Sequence, residues 1–134
     1  MTRPSLLVTS VTIGTAQPHA LANFYARLLG CLVTTDDPPD PGDPDRGGWA
    51  QIRPPEGESG PTLNFEYERH FARPVWPSVP GEQNASQHLD ILVTDLEAAV
   101  EWAVSQGASP ADFQPQDDVR VLFDPSGHPF CLFR

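Results

Sequence analysis

"HLDILVTDLEAAVEWAVSQGA", residues 88–108, decides the fold. Its first six residues alternate, so that His88, Asp90 and Leu92 fall on one face of a strand and Leu89, Ile91 and Val93 on the other. The second set is wholly aliphatic and must face a core. Asp95 then stands as a helix N-cap, and Leu96, Ala99, Val100 and Ala103 form an apolar stripe at helical spacing. Gly107 supplies the residue able to end that helix with positive φ. The same scheme lies 78 residues earlier, in "SVTIGTAQPHALANFYARLLGC" (10–31). There Val11, Ile13 and Thr15 alternate with Ser10, Thr12 and Gly14. Pro18 opens a helix carried by Leu21, Phe24, Tyr25 and Leu28, and Gly30 stops it. Ser10 thus aligns with His88, Gln17 with Asp95 and Phe24 with Trp102.

Both halves also close alike. "WAQIRPPEGESGPTLNFEYE" (49–68) reads as strand, Gly/Pro turn, strand, and "VRVLFDPSGHPFCLF" (119–133) does the same around the tight turn "DPSGH". Aligning "NFE" with "PFC" pairs Glu66 with Cys131. Each half is therefore β-α-β-β-β. The expectation is one α+β domain over 1–134, made of module 5–69 and module 87–134 joined by linker 70–86. "DDPPDPGDPDRGG" (36–48) is too rich in Pro, Gly and Asp for a strand and is predicted to be a surface loop. The linker carries Phe71, Val75 and Trp76 among its prolines, so Trp76 is predicted to pack over something rather than swing free.

The formal net charge of −10, with eight arginines and no lysine among 134 residues, argues against nucleic acid or an anionic membrane as partner. No stretch approaches the ~20 apolar residues of a membrane span, and the N-terminal residues lack a signal-peptide pattern. Cys31 and Cys131 have neither zinc-type spacing nor a disulfide framework, and read as free thiols in a reducing cytoplasm.

Paired β-α-β-β-β modules with "FYARLLG" in the first, "HLDILVTDLEAA" in the second and a closing "DPSGHPFCL" resemble the vicinal oxygen chelate superfamily. That group contains glyoxalase I, bleomycin-resistance proteins, fosfomycin-resistance enzymes and extradiol dioxygenases, and the nearest likeness is to small bacterial glyoxalase-like domain proteins. The resemblance covers about Leu6 to Phe133. It implies a glyoxalase/bleomycin-resistance-type fold with both sheets curled around a shared cleft. It also implies metal-ligand positions at Ser10, Glu66, His88 and Cys131. Fold alone leaves function open, because isomerases, transferases, dioxygenases and non-catalytic binders share it.

Ser10 is a poor ligand for a divalent ion, and Cys131 stands where metal-binding relatives carry glutamate. Only Glu66 and His88 are competent, so no metal cofactor is expected; zinc, manganese, iron or nickel on Glu66 and His88 is the alternative. The leading expectation is a cleft lined by Ser10, Asn64, Glu66, His88, Asp90 and Cys131, with Trp76 as a hydrophobic wall, binding a small organic ligand. The rivals are a metal-dependent lyase or isomerase of the glyoxalase type and an antibiotic-sequestering resistance protein. A homodimer is expected. Asp124 and His128 are read as bracing their own turn, His19 and His70 as surface groups, and Trp102 as core or interface.

Overall fold

The computed structural model describes residues 1–43 and 47–134, so part of the predicted 36–48 loop lies outside the described residues. The first module runs β1 (Ser10–Thr15), α1 (Pro18–Leu29), β2 (Leu32–Asp37), β3 (Trp49–Arg53) and β4 (Thr62–Tyr67). The second runs β5 (Leu89–Leu92), α2 (Leu96–Gln106), β6 (Ser109–Pro110), β7 (Val119–Phe123) and β8 (Pro129–Phe133). The sheets are ordered β1-β4-β3-β2 and β5-β8-β7-β6, with the first and last strand of each module parallel and the other pairs antiparallel. The two modules therefore share one topology, as the 78-residue offset predicted. One boundary is corrected: Asp36 and Asp37 do not belong to the loop but end β2, opposite Ala50 and Trp49. A paired neighbouring strand holds two acidic residues in an extended run that composition alone assigns to a turn.

Local chemistry sets both helices. Asp95 accepts the Ala98 N–H at 3.0 Å, capping α2, whereas Gln17 provides no side-chain cap and Pro18 starts α1 by its fixed φ. Gly30 (φ 67°) and Gly107 (φ 117°) close the helices in the left-handed region, where a side chain would be strained.

A single core joins the modules. Phe24, Tyr25, Ile52, Leu63 and Phe65 from the first lie in one cluster with Leu122, Phe130 and Leu132 from the second. Tyr25 stacks on Phe65 at 5.5 Å, and its ring edge and that of Phe24 reach toward Phe130, each at 6.2 Å. Leu89, Ile91 and Val93 pack against this cluster, half-buried, as the alternation required. The helices touch as well: the Trp102 indole N–H donates to the Leu28 carbonyl at 3.2 Å, and Arg27 donates to the side chain of Gln106. Trp102 is an interface residue, 48% exposed, while its counterpart Phe24 is wholly buried.

Candidate functional site

The β7–β8 turn does more than brace itself. Asp124, 2% exposed, accepts the Ser126 and His128 backbone N–H groups on Oδ1 and the Tyr25 hydroxyl on Oδ2 at 2.7 Å. Ser126 and Thr15 hydroxyls are hydrogen-bonded at 2.7 Å, and the His128 Nε2–H donates to the Gly14 carbonyl at 2.8 Å. Asp124 and His128 thus brace their own turn, as expected, and the turn is also a clamp between modules. Burial pushes the Asp124 carboxyl up despite the hydrogen bonds that favour its charge. Burial, with the Asp124 charge, also holds the Tyr25 phenol well above its usual value. Both effects follow from desolvating an anion.

Beside this clamp lies a cavity of about 860 Å³ between the modules. Its walls come from β1 (Val11 to Gly14), Tyr25, the residues after β4 (Glu68, His70), linker residues 83–87, the start of β5 and the turn at His128. Three of the four histidines, His70, His88 and His128, border it. The remaining one, His19, is no free surface group: its side chain is 28% exposed and pairs with Asp36.

Only His88 of the expected cleft residues lines this cavity. Ser10 and Asn64 are spent on each other instead. Asn64 Nδ2 donates to Ser10 Oγ at 3.2 Å, Gln51 donates to Asn64 Oδ1 at 2.9 Å, and Gln51 Oε1 accepts from Thr34 and Arg53, each at 3.0 Å. These bonds form a polar ladder across the first sheet. Glu66 is exposed at its margin, without a hydrogen-bond or ion-pair partner among the described residues. Trp76 does not wall the cavity; it lies over Phe113 with ring centroids 5.9 Å apart. A linker aromatic between prolines takes whichever apolar partner is nearest, and here that partner lies in the second module.

The residues the cavity recruits beyond the expectation carried a partial signal. The period of two that runs through Asn64 and Glu66 continues to Glu68 and His70. Tyr25 reads as core from its helical spacing, and its hydroxyl adds a polar tip that needs a partner. The linker residues gave no periodic signal at all.

His88, Asp90 and Cys131 do converge, on the face of the second sheet. His88 Nε2 lies 3.1 Å from Asp90 Oδ1, and one donor atom from each of the three residues falls within 4.8 Å of the others. Burial, then the Asp90 carboxylate, pushes the Cys131 thiol up. The four-residue metal set implied by the resemblance does not fit. Ser10 is engaged with Asn64, and Glu66 is not part of the group that holds His88 and Cys131.

The family model described as "Glyoxalase-like domain" matches residues 10–133. Among curated proteins no sequence matches. A glyoxalase family protein from Enterococcus faecalis superposes with a TM-score of 0.65 at 22% identity, covering 96% of this chain and 97% of that one. A glyoxalase/bleomycin resistance protein/dioxygenase family enzyme from Burkholderia phytofirmans PsJN gives 0.62 at 13% identity, covering 92% and 94%. TnmS3, an antibiotic binding protein from Streptomyces sp. CB03234, gives 0.55 at 16% identity, covering 98% of each chain. At these identities the likeness is one of fold.

Proposed function

Since the chain belongs to the glyoxalase-like domain family, within the vicinal oxygen chelate superfamily, we propose that it binds a small organic ligand in the cavity between its modules. The supporting observation is the cavity itself. About 860 Å³ suits a drug-sized molecule, for which pockets of roughly 300–1,000 Å³ are usual. Apolar walls from Val11, Ile13, Phe71 and Leu89 alternate with hydrogen-bonding groups from Thr12, Asn84, Glu68 and the three histidines. Such a lining selects an organic molecule with several polar substituents rather than a lipid or a bare ion. Sequestration of an antibiotic is the narrower form of this reading, since an antibiotic-binding protein shares the fold. The lyase or isomerase reading with Glu66 and His88 as metal ligands loses support, because Glu66 does not join His88.

The same reading makes the protein a homodimer of the cytoplasm. Leu6, Leu7 and Val8 are 73–86% exposed, and Leu92 is 72% exposed on the face it shares with His88 and Asp90. A second copy of the chain would cover such apolar groups. Sedimentation at micromolar concentration is expected to give twice the chain mass of 14.6 kDa.

A thermal-shift screen of metabolites and antibiotics tests the ligand reading, because a compound that binds only the native state must raise Tm. Hits should lose about ten- to a hundred-fold in affinity on His88→Ala, the equivalent of one hydrogen bond to a charged group at ~1.5–3 kcal/mol. Hits whose affinity is unchanged by both His88→Ala and His70→Ala would place the ligand elsewhere.

A further inference from the structure

We infer that the ligand of the inter-module cavity is an organic cation, an ammonium-bearing molecule whose charge sits on Glu68 and whose carbon skeleton lies along Phe71. The inference rests on the reading of that cavity as the ligand site and names the chemical class it takes. Among the described residues that line the cavity, Glu68 is the only Asp, Glu, Lys or Arg. Its side chain is exposed, and the carboxylate has no hydrogen-bond or ion-pair partner among the described residues. Its backbone, by contrast, is held on both sides. The Glu68 N–H donates to the Thr15 carbonyl at 2.9 Å, and the Glu68 carbonyl accepts the Phe71 N–H at 3.2 Å. That turn brings a carboxylate and an aromatic ring to one wall. The Phe71 ring is set against the His128 ring, with centroids 5.5 Å apart. Gly14 lies beside the Glu68 Cβ and contributes no side chain to crowd it.

Desolvation decides the class. A ligand that fills the cavity covers Glu68 and strips water from its carboxylate, which costs free energy unless an opposite charge takes the water's place. A neutral molecule replaces that water only in part. An organic anion meets like charge, and no arginine among the described residues lines the cavity to offset it. The chain has no lysine to do so either. An ammonium supplies charge-assisted N–H···O bonds to the carboxylate, and its polarised carbon groups favour the face of an aromatic ring such as Phe71. The apolar walls from Val11, Ile13 and Leu89 suit the body of such a molecule. The field of the whole chain acts in the same sense, since a formal net charge of −10 draws cations in and repels anions.

The test uses fluorescent probes that share a dansyl group and an alkyl chain and differ only at the far end. Dansylcadaverine ends in a primary ammonium, its N-acetyl derivative is neutral, and the third analogue ends in a carboxylate. Each is titrated against the full chain at about pH 8, above the ordinary histidine range, and binding is read from the rise in dansyl emission. The ammonium probe is expected to bind at least about ten-fold more tightly than the neutral one, the scale of one charge-assisted hydrogen bond. The carboxylate probe should bind most weakly. Glu68→Gln should erase the preference for the ammonium. Glu101→Gln, which removes a negative charge from α2 outside the cavity lining, should leave it intact and so separate Glu68 from the net charge. The inference is overturned if the neutral probe binds as tightly as the ammonium, if the carboxylate binds most tightly, or if the preference survives Glu68→Gln. Equal binding of all the probes, weakened alike by Phe71→Ala, overturns the cation class and leaves the ligand reading standing. Binding by none of them also overturns it, and the ligand reading falls too only if the thermal-shift screen gives no hit.

Discussion

Tyr25→Phe isolates the inter-module clamp, because it removes one hydroxyl and leaves the ring stacked on Phe65 and edge-on to Phe24. The lost bond is the 2.7 Å donation to Asp124 Oδ2, inside a site where the acceptor is 2% exposed. A hydrogen bond to a buried charged group is worth about 1.5–3 kcal/mol. Unfolding entropy of about 2.1 cal/mol/K per residue over 134 residues converts that to a fall in Tm of roughly 5–11 °C. Asp124→Asn separates charge from shape. Its Oδ1 still accepts the Ser126 and His128 N–H groups, and its amide faces the Tyr25 oxygen as a donor. It should therefore cost less than ~1 kcal/mol at neutral pH, as for one near-isosteric exchange of polar partners.

The pH dependence supplies the sign. Burial raises the Asp124 carboxyl above its ordinary value, so the folded protein binds that proton more tightly than the unfolded chain. The group's contribution is then fully present below an unfolded pKa of about 3.9 and is lost as pH rises through the folded value. Above that point Asp124 is an ionised buried group that depends on its donors. The penalty of Tyr25→Phe should accordingly be largest at neutral pH, shrink as Asp124 protonates, and fall to about 0.5–1.5 kcal/mol in the Asp124→Asn background. Urea unfolding of the four proteins at pH 4 and pH 7 measures this cycle. An equal penalty in both backgrounds and at both pH values would falsify the assignment of Asp124 as a charged acceptor.

Other elements make simpler tests. Asp95→Ala removes the cap on the Ala98 N–H and should cost about 1 kcal/mol in urea unfolding. Gly127→Ala puts a side chain at φ +90° with its Cβ against the Arg73 side chain, and a loss of about 1–2 kcal/mol is expected from the left-handed backbone alone. Trp76→Ala should lower Tm by removing the Phe113 contact while leaving the affinity of any cavity ligand unchanged; a ligand lost with Trp76 would return that residue to the cavity wall. His128→Gln, which keeps an N–H donor for Gly14, should be better tolerated than His128→Ala by about 0.5–1.5 kcal/mol.

The fold was legible because its determinants are local and repeated. A cap at Asp95, stops at Gly30 and Gly107 and a period of two at Ser10–Thr15 each act within a few residues. Their recurrence 77 or 78 residues apart gave the two-module topology without any long-range information. The one strand boundary that failed, at Asp36 and Asp37, depends on pairing with β3 from beyond a loop. Composition carries no trace of such a partner. The same holds for Trp76 and Phe113, which meet across 37 residues of chain.

The site was harder to read for a different reason. Alternation fixes which side chains share a face, and it placed His88 with Asp90, and Ser10 with Thr12 and Gly14. It does not fix what the face meets. Aligning Glu66 with Cys131 assumes that the two faces close on one another, but the modules join through α1, α2 and the Asp124 clamp. Packing by helices and turn leaves the cavity at the strand edges and keeps each sheet's polar groups to itself. The first sheet satisfies its own in the Ser10–Asn64–Gln51 ladder. The second brings the Asp90 carboxylate, the His88 imidazole and the Cys131 thiol together, and of these only His88 reaches the cavity. Two modules of one topology thus differ in chemistry at equivalent positions, one with neutral amides and hydroxyls bonded to one another and the other with titratable groups gathered together.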